Sequence, residues 1–143
     1  MGEGTMTDGP KSGGCACGAV RFAATVKGTH MDACHCETCR HWSAGPLMGV
    51  EVQDLTIEDE TSLGVWDSSP WAERLFCTRC GTSIGYRMKD GSFTTLSAFV
   101  SDTPLDFPLG TEIFVDSKPA SYAFAGDAKQ MTGADVVAMF GGN

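Results

Sequence analysis

"DACHCETCRHW", residues 32–42, holds three of the chain's cysteines within six positions, at Cys34, Cys36 and Cys39. The other four lie in two shorter runs, "GGCACGAV" (13–20) and "FCTRCGTS" (76–83), at Cys15, Cys17, Cys77 and Cys80. The total of seven is odd, which fits poorly with a closed set of disulfides. Because every cysteine belongs to a closely spaced pair or triple, the pattern predicts thiols that bind a soft metal.

The seven cysteines can be divided in two ways: a four-cysteine site with three thiols spare, or a four-cysteine site and a separate three-cysteine site. The two pairs come from distant parts of the chain and combine most naturally into one closed site. Gly81, after the last pair, can take the positive φ that such a turn requires. A closed four-thiolate site is structural, whereas three ligands leave a position for water or a substrate.

Two alternatives stay open for the C-x-x-C motifs. Either Cys36 with Cys39 or Cys77 with Cys80 can be a dithiol redox pair, although neither motif has the strand–helix–strand context typical of thioredoxins. The triple can also form a second structural zinc site, with His35, His41 or a carboxylate as its fourth ligand.

Composition limits the partners of the chain. The formal charge is −8 and the ten Lys and Arg residues are scattered, which argues against nucleic acid. No apolar run approaches the ~20 residues of a membrane-spanning helix, and the first residues lack the regions of a secretory signal. We therefore expect a cytoplasmic protein with no membrane partner. The sequence does not indicate an oligomeric state.

The apolar pattern predicts one mainly β domain over residues 13–143, after a flexible arm over residues 1–12. Eighteen glycines favour turns and short strands. Strands are predicted in "AVRFAATV" (19–26), "TSIGYRMKDG" (82–91), "SFTTLSAFV" (92–100), "TEIFVDS" (111–117) and "ASYAF" (120–124), and one or two strands in "PLMGVEVQDLTIED" (46–59). Asp90-Gly91 is a hairpin signal. "TGADVVAMFGG" (132–142) predicts a helix capped by Thr132 with Asp135 and ended by Gly141. Tyr86 and Phe99 are assigned to the core.

Five segments together resemble the glutathione-dependent formaldehyde-activating enzyme family, also called the GFA or CENP-V domain family. They are "GGCACGAVRF", "CHCETCRHWSAG", "SSPWAER", "FCTRCGTSIGYR" and "IFVDSKPASY", within residues 13–124. The resemblance implies a Mss4-like fold, several coiled β-sheets around zinc as in the zinc-binding Rab chaperones. It also implies a structural zinc on the four cysteines of the two pairs, and a second, open and labile zinc on Cys34, Cys36 and Cys39.

The function that the resemblance implies is that of a zinc-dependent carbon–sulfur lyase of the S-(hydroxymethyl)glutathione synthase type. Its substrate would be an adduct of glutathione, or of another thiol, with formaldehyde or a related small electrophile. The alternative is a non-catalytic zinc module that binds glutathione or a protein partner. An open coordination position beside a pocket distinguishes the enzyme from the module.

The residues near the cysteines supply further candidates. His35, Arg40 and Glu73 are the candidate catalytic groups: His35 as a proton shuttle or a support behind the ligands, Arg40 to balance thiolate charge or hold a carboxylate. Glu73 is a candidate general base, with an ion pair to Arg74 as the favoured reading. The candidate pocket residues are Trp42, Ser43 and Trp71.

Overall fold

The computed structural model describes residues 9–139, which form short strands joined by turns and two brief α-helices. The strands are β1 (Gly9–Gly14), β2 (Arg21–Val26), β3 (Met31–Cys34), β4 (Leu47–Ile57), β5 (Leu63–Trp66), β6 (Ala72–Cys77), β7 (Ser83–Met88), β8 (Thr94–Ser97), β9 (Leu109–Ile113) and β10 (Lys129–Met131). The α-helices are α1 (Glu37–Ser43) and α2 (Gly133–Met139), and short 3-10 helices lie at Glu60–Ser62 and Val115–Ser117. The predicted mainly β class with a short C-terminal helix is confirmed. No helix of the described residues has the length and apolar composition to cross a bilayer.

The chain clusters into two compact units, each made of two stretches. The first unit comprises Met1–Thr29 and Gly49–Phe107, and the second comprises His30–Met48 and Pro108–Asn143. The single domain over residues 13–143 stays a prediction.

The first unit is an antiparallel sheet in the order β1-β2-β4-β8-β7-β6-β5. Along β2, Phe22, Ala24 and Val26 are buried and their neighbours are more exposed, because successive side chains of a strand point to opposite faces. The largest apolar side chains that are fully buried all belong to this unit: Val20, Phe22, Val50, Leu75 and Ile84. These side chains are its core.

The predicted strands of this unit are largely confirmed. β2 and the β7–β8 hairpin lie where the pattern placed them, and Gly91 in the hairpin turn has a φ of +81°. The segment 46–59, predicted to give one or two strands, forms one strand, β4. Tyr86 is half-buried, but the assignment of Phe99 to the core is wrong, since its side chain is 72% exposed. β8 ends at Ser97, and Phe99 lies in the turn that follows it, where its side chain faces solvent.

The predicted arm overlaps a strand. Residues 9–14 form β1 and pair with β2 in register from Gly9 with Val26 to Gly14 with Arg21. The sequence "GPKSGG" has none of the β-branched or aromatic residues that signal a strand, so only the pairing with β2 identifies it. Residues 1–8 of the arm lie outside the described residues.

The second unit contains three parallel strands in the order β10-β9-β3. The register pairs Ala33 with Glu112 and Cys34 with Ile113. The segment 120–124 is not a strand, so that prediction is wrong. The Lys118 ammonium donates to the carbonyl oxygens of Pro119 and Tyr122. These carbonyl groups are therefore bound by a nearby side chain and not by a neighbouring strand.

The α-helices of the second unit begin at side-chain caps. Thr132 and Asp135 exchange side-chain and backbone hydrogen bonds, as predicted for α2. Gly141, its predicted end, lies outside the described residues. Helix α1 was not predicted, because seven residues are too few to show a helical period. It begins after Cys36, whose sulfur accepts a hydrogen bond from the Cys39 amide at 3.3 Å.

Candidate metal centres

The four cysteines of the two pairs converge in the first unit. Their sulfur atoms all lie within 4.8 Å of one another. The Cys15 and Cys17 sulfurs are 3.7 Å apart, and the Cys17 and Cys77 sulfurs 3.8 Å. Four thiolates on a tetrahedral zinc, at about 2.3 Å from the ion, have sulfurs about 3.7 Å apart. The cluster therefore has the dimensions of a closed four-thiolate metal site.

Two tight turns bring these cysteines together. After β1, the Gly18 amide donates to the Cys15 carbonyl at 3.2 Å, with a φ of +84° at Gly18. After β6, the Gly81 amide donates to the Cys77 carbonyl at 2.9 Å, with a φ of +83° at Gly81. A side chain would be strained at both positions, so the conformational freedom of glycine is used here. The positive φ predicted for Gly81 is confirmed.

Backbone amides also point at the sulfur atoms of this cluster. The Val20 amide donates to Cys15 Sγ at 3.2 Å. The Arg79 and Cys80 amides donate to Cys77 Sγ at 3.3 and 3.4 Å. These donors stabilise negative charge on sulfur, so the site favours thiolates, the form that binds metal.

Crowding makes the thiols of the cluster unequal. The Thr82 hydroxyl, 3.1 Å from Cys80 Sγ, lowers the pKa of Cys80 to about 5. The Ala19 amide lowers the pKa of Cys17, but desolvation and the neighbouring sulfurs outweigh it and raise that pKa to about 11. Like charges this close cannot all form without a cation among them, which suits a metal-binding role.

The second cluster lies in the second unit and consists of Cys34, Cys36 and Cys39, with sulfur atoms within 4.8 Å of one another. Cys34 ends β3, Cys36 caps α1, and Cys39 is buried in the first turn of that helix. Hydrogen bonding with Cys36 and Cys39, followed by burial, raises the pKa of Cys34. Three thiolates this close together would repel one another, and a cation bound to the three sulfurs would relieve that repulsion.

No histidine or carboxylate within residues 9–139 completes the three-cysteine cluster. His35 is fully buried and directs both ring nitrogens elsewhere, Nδ1 to the Tyr122 hydroxyl at 2.7 Å and Nε2 to Glu112 Oε1 at 2.9 Å. His41 is exposed. Among the described residues this cluster thus offers three candidate ligands, all of them thiols.

The candidate catalytic residues fall in different units. Arg40 is beside the triple, and its Nε donates to the His35 carbonyl at 3.0 Å. Glu73 belongs to the first unit and accepts from Arg87 Nε at 2.7 Å. The predicted pair of Glu73 with Arg74 is wrong, because consecutive residues of β6 face opposite ways and Arg87 is the cross-strand partner. Arg74 is buried, and its guanidinium lies 5.1 Å from the ring centre of Tyr86.

The candidate pocket residues are also divided. Trp42 and Ser43 lie in α1, and the Ser43 hydroxyl oxygen is buried with no hydrogen-bond partner among the described residues. Trp71 belongs to the first unit and is 55% exposed. A cleft of about 310 Å³ in the first unit contains none of them and is lined by Gly14, Cys15, Ala16, Arg21, Thr82, Phe99, Val100, Ser101 and Asp102. The structure therefore does not bring the three pocket candidates together with that cleft.

Sequence reasoning missed the residues that surround His35. Glu112 is 5% exposed in β9, and Tyr122 and Phe124 place their ring centres 5.5 and 5.7 Å from that of His35. The signal for Glu112 was a single carboxylate in the apolar strand "TEIFV". Tyr122 carried no such signal, because its partner is 87 residues away in the sequence.

A mainly β chain with two clusters of convergent thiols belongs, by its chemistry, to the proteins whose cysteines can hold metal ions. The chain belongs to the family described as glutathione-dependent formaldehyde-activating enzyme, whose model matches residues 10–117. This confirms the resemblance seen in the sequence.

Two other proteins are similar to this chain. An "uncharacterized lyase" of Schizosaccharomyces pombe is 30% identical over 122 residues, which cover 84% of this chain and 89% of the relative. A crystal structure of a Rhodobacter sphaeroides protein matches with a TM-score of 0.57 and 19% identity, over 68% of this chain and 98% of that chain. The second similarity concerns the fold alone.

Proposed function

We propose that the protein is a zinc-dependent carbon–sulfur lyase that acts on the adduct of glutathione, or of a similar thiol, with formaldehyde or a related small electrophile. The observation that carries this proposal is the three-cysteine cluster, which converges without a fourth protein ligand among residues 9–139. Membership of the family and the lyase name of the yeast relative support the same reaction class.

The donor sets fit zinc in two different roles. Thiolate sulfur is a soft ligand, and tetrahedral thiolate sites are typical of zinc. Four thiols joining β1 and β6 of the first unit form a closed set suited to holding the fold. Three thiols in the second unit leave one tetrahedral position for a substrate. The proposed functional centre is therefore the triple.

In the synthetic direction the thiol loses its proton and its sulfur attacks the carbonyl carbon. The carbon–sulfur bond forms, the π electrons of the carbonyl move to oxygen, and that oxygen takes up a proton. The lyase direction reverses each step and returns thiol and aldehyde. A zinc ion on the three thiolates would supply a cation that favours the thiolate form of a substrate thiol and polarises a carbonyl.

The residues of the chain supply orientation. Arg40 donates the N–H of Nε to the His35 carbonyl oxygen, and a guanidinium has four further N–H donors. It is half-buried beside the triple, where those donors can bind a carboxylate of a glutathione-like substrate. The position of His35, with both nitrogens engaged, suits a structural role better than proton transfer.

Metal content tests the division of the cysteines. We expect at most two zinc ions per chain, one held tightly and one removed by a mild chelator. Four thiolates compensate an ion more completely than three, and an open position gives a chelator access. Elemental analysis before and after chelation should find close to one ion remaining. Simultaneous loss of all metal, or no loss at all, would contradict the division into four and three.

A glutathione titration of the cobalt-substituted protein tests the proposed function directly. We expect the spectrum of the triple to change, because glutathione either occupies the open position or competes for the ion, while the four-cysteine centre does not respond. Cys36→Ser is the matched control and should remove the response. An unaltered spectrum at both centres would exclude the glutathione proposal. A response without any turnover of a thiol–formaldehyde adduct, followed by NMR, would instead favour the binding module.

A further inference from the structure

His35 lies between two cysteines of the triple, and each of its four hydrogen-bonding groups has a partner. Its amide donates to the Ile113 carbonyl at 3.0 Å, and its carbonyl accepts from Arg40 Nε at 3.0 Å. Nδ1 lies 2.7 Å from the Tyr122 hydroxyl, and Nε2 lies 2.9 Å from Glu112 Oε1. All five residues belong to the second unit, and the His35 side chain is fully buried.

This arrangement fixes the two cysteines on either side of His35. Cys34 ends a strand, and Cys36 has the extended backbone angles φ −65° and ψ 161°. In extended chain, successive side chains point to opposite sides. When the imidazole is held on one side, the flanking sulfurs are directed to the other side, where Cys39 joins them.

Glu112 and Tyr122, the partners of the imidazole, make further contacts that fix their own positions. Glu112 is 5% exposed in β9, in the ladder that pairs this strand with β3. The Lys118 ammonium binds the Tyr122 carbonyl and lies 4.9 Å from the centre of the Tyr122 ring. The ring of Phe124 stands edge-on to Tyr122 at 6.4 Å. The imidazole is therefore surrounded by side chains that have contacts of their own.

We infer that Glu112, acting through His35, is a positioning residue that orients the three-cysteine turn for its metal, and that Tyr122 shares this role at the other ring nitrogen. The inference rests on the proposed metal role of the triple. Both residues bind the imidazole, and the imidazole belongs to the residue between two of the cysteines, so the effect passes through it. Loss of the Glu112 carboxylate leaves a buried N–H without its acceptor, and the ring then moves to find another partner.

The test compares metal binding by the triple in full-length variants substituted with cobalt. Glu112→Leu should weaken cobalt binding at the triple by about 10–100-fold, the range seen when a group supporting a metal ligand is removed. Glu112→Gln retains a carbonyl oxygen that can accept from Nε2–H, so its affinity should stay within about threefold. The four-cysteine centre in the same molecule is an internal reference that should not change. Glu51→Leu, which removes a carboxylate paired with Lys27 in the first unit, is the matched control.

The outcomes separate this inference from the proposed function. Unchanged affinity of the triple in Glu112→Leu, or equal losses in the Leu and Gln variants, would overturn the positioning role. If Glu112→Leu does not fold, Tyr122→Phe decides, because it removes one hydroxyl and keeps the ring; an unchanged triple then overturns the inference. If the wild-type triple binds cobalt but its spectrum does not respond to glutathione, the proposed substrate is rejected, and the effect of Glu112 on cobalt affinity can still be measured. A wild-type triple that binds no cobalt would reject both.

Discussion

We expect Cys77→Ser to unfold the protein at room temperature. Cys77 is buried at the end of β6, and its sulfur lies 3.8 Å from that of Cys17, 60 residues away in the sequence. The proposed zinc at this cluster closes that long loop, so its binding free energy contributes directly to folding. Structural zinc contributes about 10–16 kcal/mol in zinc-finger peptides, comparable with the roughly 5–15 kcal/mol of a whole domain.

Circular dichroism and thermal melting measure this loss, and Cys36→Ser provides the comparison. That variant should keep the spectrum and cooperative melting of the wild type, because three ligands in the second unit do not tie β1 to β6 of the first. The assignment of one structural and one functional cluster fails if the two variants melt at the same temperature. Addition of excess zinc should not restore Cys77→Ser.

The second large effect concerns activity. Cys36→Ser should lower the rate of adduct formation and breakdown by at least about a hundredfold, because loss of the bound cation removes several kcal/mol of charge stabilisation from the reaction. Cys36 caps α1 and supplies one of only three sulfurs in the described part of this cluster, so two would remain. Two ligands hold zinc poorly.

The measurement is adduct exchange between glutathione and labelled formaldehyde, followed by NMR against the uncatalysed rate. His41→Gln is the matched control, because His41 is exposed on the same helix and should leave the rate unchanged. A Cys36→Ser protein that is folded and fully active would place the chemistry elsewhere in the chain. The cleft beside Cys15 in the first unit would then be the next place to look.

The two cysteine clusters differ in burial. In the four-cysteine cluster, one cysteine of each pair is buried, while Cys17 and Cys80 are exposed. In the triple, Cys39 is buried and the other two are half-buried. The proposed structural site thus contains two exposed cysteines. Its stability must come from ligand number and from the amide hydrogen bonds to sulfur rather than from exclusion of water.

The sequence by itself determined the elements whose causes are local. Alternating apolar residues predicted β2, and Asp90-Gly91 predicted the turn between β7 and β8. The reciprocal cap of Thr132 and Asp135 depends on residues three positions apart and was read directly. The close spacing of the cysteines predicted that they act in groups, because a ligand set needs a turn between neighbouring thiols.

Tertiary structure decided whatever depends on residues far apart in the chain. β1 exists only because β2 pairs with it, and Glu73 binds Arg87 rather than Arg74 because β6 and β7 are neighbours. His35 could be read as a ligand, a shuttle or a support from sequence alone. Its surroundings favour a support, through Glu112 and Tyr122, which lie 77 and 87 residues away. The physical reason is that a buried polar group takes the partner that packing provides, and local sequence does not encode which strand or loop arrives beside it.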